Sequence, residues 1–269
     1  MTTSEERPTD MPRPDRIRTD IPHPARVYDY WLGGKDNFAI DRQAAEEALA
    51  LLPEFADYAV ENRKFLVRAV RFACAAGIRQ FLDLGTGLPT SPNVHEVAQS
   101  AHPGARVVYV DNDPVVFVHA EELMTRSPDT SVIWADLRDP GYVLREAGRL
   151  LDFSEPVALM FVACLHHLPD GDDPAQVVGR CLTAMAPGSQ LILSHQTDEF
   201  APDRMRQASA EAAEAGLTFV PRSRADILRL FNGCDLVEPG LVLVSYWRPD
   251  GPPGHNADRA WAYGGIARL

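Results

Sequence analysis

Three features of this chain predict an α/β fold with a mostly parallel sheet, one antiparallel strand in a C-terminal hairpin, and a helical cover at the N-terminus. Strand-like apolar runs alternate with helix-like segments from about residue 79 onward. The run Pro156 to Ala163 (P-V-A-L-M-F-V-A) is almost unbroken, as expected of a central parallel strand covered on both faces. Near the C-terminus, Asp235 to Glu238 and Leu241 to Trp247 flank the turn dipeptide Pro239-Gly240, which reads as a hairpin.

In chain order, residues 1–22 are rich in proline, threonine and charges of both signs, too poor in apolar side chains for a core, and read as a disordered arm. Ala25 to Leu32 is a short helical run ended by Gly33-Gly34. Asp41 is the expected N-cap of a helix over Arg42 to Leu52, stopped by Pro53. A longer helix is expected over Tyr58 to Ala76, with Gly77 as its C′ residue. Three helices thus precede the first strand.

Arg79 to Leu84 supplies that strand, and Gly85-Thr86-Gly87 turns the chain at its end. The glycines allow a sharp turn and a close backbone approach to a ligand. Thr90 or Ser91 is the expected N-cap of the next helix, with Pro92 at its first position. Strand, glycine loop and helix N-terminus together form a nucleotide-type corner. A dinucleotide fingerprint requires G-x-G-x-x-G, and Thr90 stands at the third glycine position. Asp83, two residues ahead of the loop, would also repel a pyrophosphate; it favours a ligand with an ammonium group, which S-adenosylmethionine carries beside its sulfonium.

Two more strand ends extend the corner. Arg106 to Val110 runs into Asp111-Asn112-Asp113-Pro114, and an acid about 20 to 25 positions after the glycine loop, at a strand end, is placed to accept both ribose hydroxyls. The competing role for Asp111, capping the helix at Pro114, suits Asp113 better. Ser131 to Ala135 is a third strand, ending in Asp136-Leu137. The fourth leads into Cys164-Leu165-His166-His167-Leu168-Pro169-Asp170. His166 or His167 is a candidate general base near neutral pH. The plainer alternative is that one packs beneath the sheet and the other bonds a loop carbonyl. Further along, Asp173 to Met185, Asp203 to Ala215 and Arg224 to Phe231 read as helices, and Gln190 to His195 as a fifth strand.

Composition sets outer limits. A length of 269 residues suits one α/β domain with appendages. A net charge of -12 and the lack of a basic run argue against a nucleic-acid substrate. Cys74, Cys164, Cys181 and Cys234 lie far apart, which indicates neither a zinc site nor a disulfide framework, and fits a reducing cytoplasm. No apolar stretch reaches membrane-spanning length. Gly33-Gly34-Lys35 is not a P-loop, because no glycine lies five residues before Gly34 and Asp36 replaces the required Ser or Thr.

D-L-G-T-G at Asp83 to Gly87 resembles the first motif of class I methyltransferases, with Pro89 where many members have a third glycine. L-H-H-L-P-D resembles the segment after the fourth strand of many small-molecule methyltransferases. A-R-V-Y-D-Y-W-L-G-G-K-D-N-F from Ala25, E-N-R-K-F-L from Glu61, D-L-G-T-G-L-P-T-S-P-N-V-H-E, V-D-N-D-P from Val110 and Y-G-G-I-A-R from Tyr263 are similar to an actinobacterial-type family of S-adenosylmethionine-dependent methyltransferases of largely unassigned substrate. The likeness spans about residues 22–269. Trp31, where an aliphatic residue is more usual, and the C-terminus depart from it.

The resemblance implies a class I methyltransferase domain over 78–269, a helical lid over 23–77, and S-adenosyl-L-methionine as cofactor. It implies cofactor contacts from Asp83, Gly85, Thr86, Gly87, Asp111, Asn112, Asp136, Leu137 and Ala163, with Tyr28 and Arg63 from the lid. Asp136 would accept from the adenine amine. Asn62 and Arg63 are candidates for the methionine carboxylate or the substrate, and Tyr28, Tyr30 and Trp31 for aromatic faces against the cation. The implied acceptor is a small molecule. Two rival readings are a non-catalytic S-adenosylmethionine-binding regulatory protein and a nicotinamide-dependent oxidoreductase.

Overall fold

The computed structural model describes residues 18–124 and 127–269. The helices α1 (Pro24–Trp31), α2 (Ala39–Leu51) and α3 (Glu54–Ala75) come first. They are followed by β1 (Gln80–Leu84), α4 (Val94–Ala101), β2 (Arg106–Asp111), α5 (Pro114–Met124) and β3 (Thr130–Trp134). Then come α6 (Pro140–Ala147), β4 (Ala158–Val162), α7 (Pro174–Leu182), β5 (Gln190–Gln196), α8 (Pro202–Glu214) and α9 (Arg224–Arg229). The chain ends with β6 (Asp235–Leu236), β7 (Val242–Leu243) and β8 (Ala262–Arg268).

The strands form an eight-stranded sheet in the order β3-β2-β1-β4-β5-β8-β6, with β7 also on β8. The first five strands are parallel, and β8 runs antiparallel to β5 over Gln190↔Arg268 to Gln196↔Ala262. The chain reverses its direction of travel between β1 and β4, and such a switch point opens a crevice at the strands' carboxyl ends.

Alternation along each strand divides the core into two layers. Phe81, Val107, Tyr109, Met160 and Ile192 face α3, through Phe65, Leu66, Ala69 and Ala73. Leu82, Val108, Leu159, Phe161 and Leu193 face the opposite layer, with Val143, Val177, Val178 and Ile227. Phe161 is fully buried, and truncating such a side chain to alanine costs about 3–5 kcal/mol. A smaller cluster of Leu52, Phe55, Met205, Ala208 and Trp261 ties α2 and α3 to α8.

Several boundaries differ from expectation. Asp235 to Glu238 and Leu241 to Trp247 do not form a hairpin: β6 and β7 both pair antiparallel with β8, at Asp235↔Arg268 and Val242↔Gly264. Val237 still donates to Ile266 O, and the chain then bulges out over Glu238 to Leu241 from one interrupted edge strand, with the Gly240 N–H turned back onto Val237 O. The fourth helix starts at Val94 rather than Pro92, because Arg63 takes the carbonyls of Thr90 and Pro92, and Glu96 closes onto the N–H of the N-cap Asn93. Asp41 sits inside α2, where it accepts the N–H groups of Phe38 and His23. The third helix begins at Glu54, directly after Pro53. Gly77 does terminate it, at φ 93°. Most of the expected arm lies outside the described residues, but Arg26 donates to Arg18 O and Ile21 O, so the end of the arm is ordered against α1.

Candidate active site

The cleft at the switch point has a volume of about 410 Å³ and gathers almost every residue singled out in the sequence. Asp83, the last residue but one of β1, lies on its floor, 4% exposed. Its Oδ2 accepts the Thr86 hydroxyl at 2.7 Å. The N–H groups of Gly85 and Thr86 both reach Val110 O, at 2.8 and 3.1 Å, which pins the loop to the end of β2. Gly85 (φ 70°) admits no side chain, since a Cβ would lie 2.4 Å from Cys164 Cβ. Gly87 (φ 67°) has nothing within 4 Å of its would-be Cβ, so the loop leaves an open cradle.

Asp111 ends β2 beside that cradle, 7% exposed. It accepts the N–H of Gly87 and the N–H of Asp113, each at 2.9 Å. Asp113 takes the capping role, accepting Val115 N–H at 2.8 Å, and its other oxygen meets His23 and Arg26 from the N-terminal segment. Among the described residues no ion pair reaches Asp83 or Asp111, and burial raises both, Asp83 to about 6. Two buried carboxylates that form no ion pair among the described residues, on either side of an open glycine cradle, suit a ligand with an ammonium and hydroxyl groups. A pyrophosphate would be repelled.

The third corner is present but more crowded. Asn112, Asp136 and Leu137 line the cleft, and Asp136 is held by Arg138 through its guanidinium and its N–H. Ala163 directly follows β4 at φ 61°, a strained left-handed conformation for a residue with a Cβ. Its N–H is held by Ser194 Oγ at 3.1 Å; Ser194 donates to Asn62 Oδ1 at 2.6 Å, Asn62 Nδ2 to the Tyr28 hydroxyl at 3.0 Å, and that hydroxyl to Ala59 O at 3.0 Å. One polar chain therefore fastens α1 over the ends of β4 and β5. Asn62 is spent within it, and Arg63, although it lines the cleft, holds loop carbonyls. Of the three aromatics, only Tyr28 faces the cleft; Trp31 stacks on Phe55, and Tyr30 bonds Glu46 at the surface.

The family model described as S-adenosyl methyltransferase matches residues 10–269. The chain belongs to the S-adenosyl methyltransferase family. It is similar to a DUF574 family protein from Streptomyces avermitilis, with 41% identity, 94% of this chain and 99% of that chain covered, and a TM-score of 0.90. A candidate methyltransferase from Thermobifida fusca is 44% identical over 95% of this chain and 97% of its own, with a TM-score of 0.87. Human N-acetylserotonin methyltransferase, solved in complex with S-adenosylmethionine, shares the fold at 16% identity, covering 94% of this chain and 64% of that one, with a TM-score of 0.50. Among curated proteins nothing matches. The chain is an S-adenosylmethionine-dependent methyltransferase, and the nicotinamide reading falls with it.

This S-adenosyl methyltransferase has a second cavity, of about 90 Å³, that adjoins the cleft and shares Pro24, Tyr28, His167, Leu217 and Thr218 with it. His167 stands at that doorway. Its Nδ1 lies 2.8 Å from Thr218 O, which can only accept, so Nδ1 carries the proton and Nε2 is bare. Burial pushes the ring down to about 4. His166 does not line the cleft; it is 2% exposed inside the smaller cavity, ringed by Tyr58, His167, His195 and Phe219, and burial holds it far below the usual imidazole range. Both rings are neutral at pH 7. The geometry is that of the plainer alternative, one packed ring and one bonded to a loop carbonyl, yet both rings face open space.

Sequence reasoning gave no site role to Tyr58, Gln196 or Phe219, nor to the expected helix α8, which wall the smaller cavity. It also missed Arg222, whose buried guanidinium holds the carbonyls of Leu165 and Leu168 and the Nε2 of His195. No local pattern marks these residues.

Proposed function

We propose that this methyltransferase binds S-adenosylmethionine in the larger cleft and methylates a small molecule presented from the smaller cavity. The observation that carries the cofactor placement is the pair of unpaired buried carboxylates, Asp83 and Asp111, flanking the Gly87 cradle. In this reading Gly85, Thr86 and Gly87 underlie the methionyl–ribose part, Asp83 receives the ammonium, and Asp111 with Asn112 receives the ribose hydroxyls. Asp136 and Leu137 take the adenine, Ala163 closes the floor, and Tyr28 and Arg63 cover the top. Residues 23–77 act as a lid over a domain spanning 78–269, joined by the Tyr28–Asn62–Ser194 chain.

Bound there, the cofactor supplies a sulfonium methyl open to in-line attack. The protein's part is to align the acceptor and exclude water. His167 orients the acceptor: Thr218 O fixes its tautomer, so the bare Nε2 can accept a hydrogen bond from the acceptor's hydroxyl. It serves as the base only if the bound acceptor and cofactor raise a ring that burial holds at about 4. His166 then contributes acceptor binding. The small volume of the cavity, about 90 Å³, and the net charge of -12 support a small acceptor over a nucleic acid. A cytoplasmic location is supported by four free cysteines, and no described helix is long and apolar enough to cross a membrane.

Calorimetric titration with S-adenosylmethionine, S-adenosylhomocysteine and NAD tests the cofactor placement. Micromolar binding of the two adenosyl ligands, weakened in Asp83→Asn and Asp111→Ala, is expected. Undiminished binding in both variants would move the cofactor out of this cleft.

A further inference from the structure

Three buried polar atoms on residues that line the smaller cavity lack any protein partner: the Tyr58 hydroxyl, His166 Nδ1 and Gln196 Nε2. Their residues are 1%, 2% and 2% exposed. Buried polar groups are paired in the great majority of cases, and three orphans on residues around one cavity mark an unmet demand for hydrogen bonds. They come from α3, the turn after β4 and the end of β5, so no single loop's geometry explains them.

The rest of the wall is apolar and largely aromatic. Trp31 and Phe55 stack at 4.9 Å, and Tyr58 and Phe219 stand edge-on to His166. Among the described residues no Lys or Arg lines the cavity, and its only charged side chains are Glu47 and Glu211, exposed and bonded to Gln43 and Gln207. With both histidines neutral, a carboxylate or phosphate on the ligand would be desolvated with nothing to balance it. A flat ring suits the walls. A hydroxyl, donor and acceptor at once, suits a mixed set of orphans in which Gln196 Nε2 only donates and Tyr58 can do either. A volume of about 90 Å³ limits the buried part to a single ring.

We propose that the smaller cavity is the acceptor pocket and takes an uncharged, hydroxylated aromatic ring, bonded to Tyr58, His166 and Gln196. This rests on the methyltransferase reading of the adjoining cleft. The ring enters past His167, and its remaining hydroxyl stays at the doorway.

The test is binding, not turnover, on the full chain. S-adenosylhomocysteine affinity is measured first; its absence would remove the cofactor placement and the acceptor pocket together. Catechol, veratrole (both hydroxyls capped) and benzoate are then titrated into the S-adenosylhomocysteine-loaded protein by ligand-observed NMR. Catechol is expected to bind at least tenfold tighter than the other two. Tyr58→Phe and Gln196→Leu, which lie outside the cleft, should each weaken catechol several-fold and leave S-adenosylhomocysteine affinity within twofold, a control that also reports folding. Equal binding of veratrole or benzoate would overturn the proposal. So would catechol binding untouched by both substitutions, or no catechol binding at all, which would mean the orphans are served by water alone.

Discussion

The backbone N–H of Gly87 donates to Oδ2 of Asp111 across 2.9 Å, spanning 24 positions of sequence. The same carboxylate takes the Asp113 N–H, and Asp113 in turn meets Arg26 and His23. The glycine loop, the end of β2 and the first residues of the cover therefore form one connected unit before any ligand arrives. Preorganisation of this kind lowers the ordering cost of binding.

Asp111→Ala removes the carboxylate proposed to hold the ribose and frees the Gly87 N–H. Cofactor binding is expected to weaken by about 1.5–3 kcal/mol, the range for hydrogen bonds to a charged group. Calorimetry with S-adenosylhomocysteine measures it, and an unchanged Kd would take Asp111 out of the site.

Asp83 gives the affinity a pH dependence. Burial, opposed by the Thr86 hydroxyl and the Arg63 charge and assisted by Asp111, raises the carboxyl to about 6. An ammonium partner favours the carboxylate, so binding expels a proton whenever the free protein holds one. Affinity should fall as pH drops through about 6, by up to tenfold per pH unit. For the free protein the sign is reversed: the folded state holds this proton more tightly than the unfolded chain, so raising pH from about 4 to 6 costs stability. Asp83→Asn should flatten the binding profile between pH 5 and 7, roughly the span in which the shifted group titrates.

Gly85→Ala and Gly87→Ala separate crowding from backbone cost. Both residues have positive φ, where a Cβ costs about 1–2 kcal/mol. Gly87→Ala should cost only that, because its surroundings are open. Gly85→Ala adds a clash with Cys164 Cβ and should unfold at clearly lower denaturant concentration. Equal midpoints would mean that Cys164 moves aside.

Arg222→Met leaves the carbonyls of Leu165 and Leu168 and the ring of His195 without their shared donor. Its partner Asp170 is 84% exposed and can be rehydrated, so the loss comes from the orphaned buried acceptors. A destabilisation of about 2–4 kcal/mol is expected, at about 1–3 kcal/mol per unsatisfied group and less than additive. Urea unfolding measures it, with faster amide exchange at 165–170 as the local signature; wild-type stability would show that water replaces the guanidinium.

The parallel strands were legible because burial on both faces leaves continuous apolar runs, as in Ala158–Val162. The last strand was not, since Tyr263-Gly264-Gly265-Ile266 carries two glycines and looks like a turn. Those glycines are what close packing demands: a Cβ on Gly264 would lie 2.9 Å from Val244 and 3.0 Å from Phe65, and one on Gly265 would crowd Leu236 and Phe231. With β8 unseen, Pro239-Gly240 read as a hairpin turn rather than a bulge in the strand beside it.

The cofactor corner could be read from the chain because each part of it is local. A strand end, a glycine turn and an acid lie within a few residues of each other, and the chemistry of that spacing needs no knowledge of the fold. The smaller cavity has no such local signature. Tyr58, His166, Gln196 and Phe219 are each unremarkable in sequence, and become a site only when α3, β5 and the segment after α8 converge. Whether a buried hydroxyl or amide has a partner depends on what lies across the space it faces, and that is set by packing between elements distant in the chain.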